Sequence, residues 1–145
     1  MSEPNLHQPS LKFLQRRIVV MGWITYAAYY LGRVNLSTAI PGLREGLHLS
    51  SQDVGMLGSG FFLSYAMGQL ISGHLGDRIS PRKLVLYGML ISTVMNFIFG
   101  SVAIWSVMFL AWTVNGFFQS TGWAPILKLL SNWHTPEQSR KVAGI

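Results

Sequence analysis

Long apolar stretches separated by short charged ones set the pattern of this chain. Residues 18–40, 54–76 and 84–127 are apolar and almost free of charge. A bilayer core about 30 Å thick takes about 20 helical residues at 1.5 Å each. The first two runs therefore predict one span each. The third is about twice as long and predicts two, with a break near Gly100–Ser106. The alternation of membrane strands is absent, and backbone in lipid must satisfy itself within helices. The expected fold class is an all-α membrane protein with four transmembrane helices, at 18–41, 53–76, 83–102 and 105–130. Residues 1–17 form an expected cytoplasmic tail, and 131–145 the loop after the fourth span. The first run is too long for a cleaved signal peptide and further spans follow it.

Helix punctuation fits these limits. Pro41-Gly42 is expected to end the first span, Ser50 or Ser51 to cap the second, and Ser80-Pro81 to introduce the third. Pro125 lies inside the fourth and is expected to bend it. Lys12, Arg16 and Arg17 precede the first span, Arg78, Arg82 and Lys83 separate the second and third, and Arg140 and Lys141 follow the fourth. The alternate loops hold Arg44 beside Glu45 and Asp53, or no charge. The positive-inside rule then puts the N-terminus and Ile145 in the cytoplasm.

Composition narrows the function classes. Half of the 145 residues are hydrophobic and 11% are charged, against roughly 25% charge in a soluble domain. The net charge of +6 is confined to segments between spans rather than spread over a basic face, so nucleic acid is not an expected partner. Without cysteine there is no disulfide framework and no thiolate metal site. No nucleophile–base pair or metal-ligand cluster stands out, and His134 reads as solvated. Neither an enzyme nor a cofactor is expected.

One cation breaks the pattern. Arg33 interrupts the first run, with Gly22, Tyr26, Tyr29, Tyr30 and Ser37 on its side at helical spacing. Val20, Ile24, Ala27 and Leu31 occupy the other side. Arg33 either snorkels to the surface or faces a polar cavity, and the tyrosine stripe favours the cavity. The second span repeats small residues every fourth position, Gly60, Ser64, Gly68 and Ser72, which lets a helix approach closely. Beside them run Gly58, Phe62, Tyr65 and Gln69. Gln69 either bonds another helix or lines the same cavity as Arg33. In the fourth span Asn115 and Gln119 lie one turn apart, with interhelical bonding the first reading and a place in the cavity the second. Lys128 reaches the interface or sits at the inner mouth of the cavity. The third span carries Ser92, Thr93 and Asn96 and is assigned no site.

Between the second and third spans the sequence reads GHLGDRISPRKL, residues 73–84. This resembles the cytoplasmic signature of the major facilitator superfamily, G-x-L-x-D-R-x-G-R-[KR]. Gly73, Leu75, Asp77, Arg78, Arg82 and Lys83 match it, while Ser80 and Pro81 depart from it. Gly73 and Gly76 are expected to permit a close crossing and a tight turn. YYLGRVNLSTAIPGL and NGFFQSTGWAPILKLLSNW further resemble the organophosphate:phosphate antiporters of that superfamily, the family of glycerol-3-phosphate and hexose-phosphate transporters. Their most specific elements are Arg33 before Asn35, Ala39 and Pro41, and Gly122-Trp123-x-Pro125.

The resemblance implies a fold of twelve helices in two six-helix halves, of which this chain carries four helices of the N-terminal half and the start of a loop to a fifth. It implies substrate bound between rocking halves, with alternating access. Arg33 inherits the role of phosphate ligand, with Tyr26, Tyr29, Tyr30, Gln69, Asn115, Gln119 and Lys128 as further substrate-binding candidates. Gly73, Asp77, Arg78, Arg82 and Lys83 form the gating loop. Gln69 stands where the family often has lysine, which keeps an organic carboxylate symporter open beside an organic phosphate exchanger. A membrane sensor of sugar phosphate on the same fold is a third reading. The expected partners are a small anionic substrate and the lipid bilayer of the inner (plasma) membrane. The chain is expected to be a truncated N-terminal part that needs the missing half to transport.

Overall fold

The computed structural model of the chain describes residues 10–135, 137 and 138, with the side chain of Asp77 outside that set. Arg140, Lys141 and most of the tail before Leu11 also lie outside it. The described residues form five helices: α1 (Leu11–Leu47), α2 (Ser51–Arg78), α3 (Pro81–Ser101), α4 (Trp105–Gln119) and α5 (Trp123–Ser131). The chain is an all-helical membrane-type bundle.

The first helix is longer than the apolar run at both ends. It begins in the charged segment at Leu11 and passes through Pro41 without stopping. Proline leaves the Ser37 carbonyl without its usual donor, but the helix absorbs this and ends on His48 in the left-handed region, φ 53°. The second helix opens with a reciprocal cap. The Asp53 amide donates to Ser50 Oγ at 3.1 Å and the Ser50 amide donates to the Asp53 carboxylate at 2.9 Å. The third starts with Pro81 at its first position, where the missing N–H costs nothing.

The expected fourth span is two helices. Pro125 cannot donate to the Thr121 carbonyl, and the break falls one turn before it, at residues 120–122. There the amides of Ser120, Thr121 and Gly122 reach back three residues, to Phe117, Phe118 and Gln119, at 3.2–3.4 Å. The Ser120 and Thr121 hydroxyls donate to the Phe117 and Phe118 carbonyls at 2.6 and 2.8 Å. Pro125 thus sits in the first turn of α5 rather than at the bend.

The stripe of small residues on α2 sets the main packing. A methyl built on Gly68 would lie 2.7 Å from the Phe117 carbonyl oxygen, and one on Gly60 2.8 Å from Thr113 Oγ1. From α4, a methyl on Gly116 would lie 2.5 Å from the Phe61 carbonyl oxygen. Ser64 Oγ donates across the crossing to the Thr113 carbonyl at 2.6 Å. This is the close approach that small residues allow in a bundle without a hydrophobic driving force. Leu57, Phe61, Phe99, Met108, Ala111 and Trp112 fill the core beside it, with Trp112 stacked 5.2 Å from Phe61 and tilted 4.9 Å from Phe99. By contrast α1 meets α3, α4 and α5 only sparsely.

Outer faces are strongly apolar: Leu70 is 77% and Phe97 74% exposed, which suits lipid rather than water. Among the described residues, α2 over Ser51–Gly76 and α3 over Pro81–Ser101 are each long and apolar enough to cross a membrane. The first helix has the length, but its tyrosines, Arg33 and Asn35 lower its hydropathy. The last span reaches membrane length only as α4, the turn and α5 together.

Candidate functional site

Arg33 sits about two-thirds of the way along α1 and is half-buried. Its guanidinium carbon lies 4.5 Å from the centre of the Tyr65 ring on α2, and 5.9 Å from that of Tyr30 one turn back on its own helix. Its Nε is buried and has no hydrogen-bond partner. Aromatic faces attract a cation without neutralising it, so the charge is sheltered but not paired. No acidic residue occurs between Ile18 and Leu43 to compete for it.

An aromatic wall leads away from this cation along α1. Tyr26 lies 6.5 Å from Tyr30 and 4.8 Å from Trp123 at the start of α5. On α2 the Tyr65 ring stacks on Phe61 at 6.3 Å. Gln69 stands one turn beyond Tyr65, and its Oε1 is buried without a partner. A cation with an orphaned donor and an amide with an orphaned acceptor thus share the side of the bundle walled by Tyr26, Tyr30 and Tyr65. Buried polar groups normally find partners, and such a pair is suited to a ligand that carries both an anion and a donor.

The remaining candidates go elsewhere. Tyr29 was expected on the Arg33 side, but adjacent helical residues diverge by about 100° and Tyr30 takes that side. Tyr29 is 3% exposed; its hydroxyl donates to the Val85 carbonyl at 2.8 Å and shares a 3.2 Å hydrogen bond with Thr121 Oγ1. Its ring packs on Gly122, where an added methyl would lie 3.2 Å away. Tyr29 joins α1 to α3 and to the α4–α5 turn.

Asn115 and Gln119 also turn inward. Asn115 Oδ1 accepts from Ser92 Oγ at 2.7 Å and Asn96 Nδ2 at 3.1 Å, and its Nδ2 donates to the Gly32 carbonyl at 3.3 Å. Gln119 Nε2 donates to Ser92 Oγ at 2.8 Å, while its Oε1 is buried and unpartnered. Asn35 Nδ2 donates to Asn96 Oδ1. This neutral network, rather than an open face, is where the two amides of the fourth span are held. Ser92 and Asn96 are its hubs, although the third span was assigned no site. Their signal was present: two polar residues one turn apart in an apolar run, matching the turn spacing of Asn115 and Gln119.

Lys128 lies at the far end of α2 from Tyr65. Its Nζ donates to the Gly76 carbonyl at 2.7 Å, fastening α5 to the last turns of α2. In the loop that follows, the Ile79 amide bonds the Leu75 carbonyl at 2.8 Å and the Lys83 amide the Ser80 carbonyl at 2.9 Å. Arg78, Arg82 and Lys83 are exposed. Gly73 and Gly76 were expected to permit a close crossing, yet a methyl at either would meet nothing within 4 Å among the described residues. Both lie past Ser72, the last residue of the small stripe, which reaches the α4–α5 turn at 3.5 Å from the Ser120 carbonyl oxygen.

A Probable hexose phosphate transport protein of Chlamydia trachomatis is 28% identical over 137 residues, 94% of this chain and 30% of that protein. The Membrane sensor protein UhpC of Escherichia coli is 30% identical over 86% of the chain and 28% of its own length. The Glycerol-3-phosphate transporter of Bacillus subtilis is 32% identical over 84% of the chain and 28% of its own length. The chain thus spans about 30% of the length of these relatives. No solved structure matches it. The sequence profile of the Major Facilitator Superfamily matches residues 22–145, from the first third of α1 onward. With that match over most of its length, the chain belongs to the major facilitator superfamily, whose members are multi-pass membrane proteins.

Proposed function

We propose that the protein is a secondary transporter of an organic phosphate, working by anion exchange with alternating access. Arg33 carries this reading: a sheltered guanidinium with an unpartnered Nε, set between the rings of Tyr30 and Tyr65. A guanidinium can hold a phosphate with two parallel hydrogen bonds, which an ammonium cannot reproduce. The orphaned Gln69 Oε1 suits a substrate hydroxyl as donor. An organic phosphate offers both groups. Exchange then replaces one anion by another and seldom leaves the cation bare. Relatives named for hexose phosphate and glycerol-3-phosphate support the same substrate class.

In this reading Tyr26, Tyr30, Tyr65 and Gln69 line the site with Arg33. Tyr29, Asn115 and Gln119 hold its wall in place, and Lys128 fixes the inner mouth at Gly76. The N-terminus and the loop at residues 79–80 face the cytoplasm of the cell that bears the protein in its inner membrane, and the loop carries the gating motif. The other half of the grip comes from parts of the whole protein beyond these four spans.

The test is uptake of a labelled sugar phosphate by the whole protein in proteoliposomes loaded with inorganic phosphate. Uptake should require internal phosphate, and Arg33→Lys should raise the half-saturating concentration about ten- to a hundredfold, the worth of a lost charge-assisted hydrogen bond. Unchanged affinity in Arg33→Lys would reject Arg33 as the anion ligand. The UhpC relative supports a second reading, a membrane sensor on the same site. Binding without uptake would favour it.

A further inference from the structure

A second feature lies at the end of the bundle where α1, α3 and α5 come together. A groove of about 390 Å³ runs there between the first half of α1, the start of α3, and α5. Ile18, Met21, Val85 and Leu129 form its apolar walls, and Arg17 and Arg82 also border it. Both arginines are exposed, and neither has an acidic partner among the described residues. They come from different helices, α1 and α3, so the groove is bordered by a basic residue from each of two helices rather than by neighbours along one surface.

The two halves of this lining call for different chemistry in one occupant. A free anion needs the guanidiniums but gains nothing from aliphatic walls. A hydrocarbon alone fits the walls but leaves two cations unanswered. The groove begins near the start of α1, where Lys12, Arg16, Arg78 and Lys83 add positive charge at the same end of the bundle. Its apolar part continues toward Met21, into the span. A molecule with an anionic head and a fatty tail, already oriented by the bilayer, satisfies both halves at once. Basic pockets between membrane helices take anionic lipid head groups in this way.

We propose that this groove binds one anionic phospholipid, its phosphate between Arg17 and Arg82 and an acyl chain along Ile18, Met21, Val85 and Leu129. The site is separate from the aromatic wall around Arg33, and only the leaflet depends on the proposed orientation, which makes it the cytoplasmic one. Each arginine near a head group favours binding about fivefold, and two together about thirtyfold.

The experiment is native mass spectrometry of the purified whole protein, titrated with phosphatidylglycerol and with phosphatidylcholine of the same chains. Phosphatidylglycerol should be retained as one tightly held copy, about tenfold or more in preference to phosphatidylcholine. The R17Q/R82Q variant should lose that preference. A photoactivatable phosphatidylglycerol, applied to the unaltered protein, should label peptides holding Ile18–Met21 or Val85, which tests the site even if the variant does not fold. Equal retention of the two lipids, an unaltered preference in a folded R17Q/R82Q, or labelling confined to other helices would overturn the proposal. Displacement of phosphatidylglycerol by millimolar inorganic phosphate would overturn it too, because it would mark a soluble-anion site. Because none of these readouts involves uptake, their failure leaves the transport reading untouched, and the reverse also holds.

Discussion

Gly116→Ala tests whether the α2–α4 crossing holds the bundle together. The added methyl would lie 2.5 Å from both the Phe61 carbonyl oxygen and Ser64 Oγ, and 3.0 Å from Phe61 Cα. A comfortable carbon–oxygen contact is about 3.3 Å or more, so the helices must part by about 0.8 Å. Two of the three obstructing atoms are backbone and cannot swing away. Overpacking of this kind costs about 1–3 kcal/mol. Parting also stretches the 2.6 Å bond from Ser64 to the Thr113 carbonyl, worth about 1 kcal/mol. Against this, alanine favours a helix interior by about 1 kcal/mol over glycine. The packing terms win, for a net loss of about 1–3 kcal/mol. Gly58→Ala is the matched control: it lies in α2, the other helix of the crossing, yet its methyl would meet nothing within 4 Å. It keeps only the propensity gain. Thermal unfolding of the detergent-solubilised protein, followed by tryptophan fluorescence, should show Gly116→Ala melting about 3–10 °C lower and Gly58→Ala unchanged or slightly higher. Equal effects from the two substitutions would refute the argument, because glycine content and not contact distance would then set stability.

Substitutions at the two tyrosines should separate binding from packing. Tyr65→Leu removes the ring face 4.5 Å from Arg33 and should weaken substrate affinity about two- to thirtyfold, whereas Tyr65→Phe keeps the face and most of the affinity; substrate titration of the purified protein distinguishes them. Tyr29→Phe removes the bonds to Val85 and Thr121 and should cost about 1 kcal/mol or more of stability with substrate affinity nearly intact, read by melting temperature and titration on the same sample. Ser50→Ala breaks the reciprocal cap of α2 and should destabilise by about 1 kcal/mol, checked by faster amide hydrogen exchange in residues 51–54.

The bundle was legible in the chain because apolar runs and cationic loops are one-dimensional signals. Its limits were less so. The first helix continues from Ile18 back to Leu11 through Lys12, Arg16 and Arg17, which are good helix formers but end an apolar run. Its passage through Pro41 depends on how the freed carbonyl is accommodated, which no local rule fixes. The break at residues 120–122 was displaced from Pro125 because proline disrupts the turn before it rather than its own position. In the site, Arg33 stood out since an intramembrane charge is rare. Tyr29 and Tyr30 differed only in azimuth, and both lie on the same broad side of a helical wheel. Neighbouring helices chose between them. The neutral groups were harder still: Asn115 and Gln119 serve equally as ligands or as bolts, and only the arrival of Ser92 and Asn96 from α3 decides for the bolt.

The placement of Arg33's two rings has a consequence for how the protein is made. The first helix leaves the ribosome before any of its packing partners exist. At that moment Tyr30 is already beside the arginine, being on the same helix, but Tyr65 belongs to α2 and has not yet been synthesised. A bare arginine costs about 2.5–3.5 kcal/mol on insertion at the centre of a span, an upper bound for Arg33, and the helix must meet its cost with its own aliphatic side, Val20, Ile24 and Leu31. Once α2 enters the membrane, Tyr65 shelters the cation. The same charge is thus a burden during biogenesis that the second helix relieves, and its position about two-thirds of the way along the first helix keeps the burden tolerable.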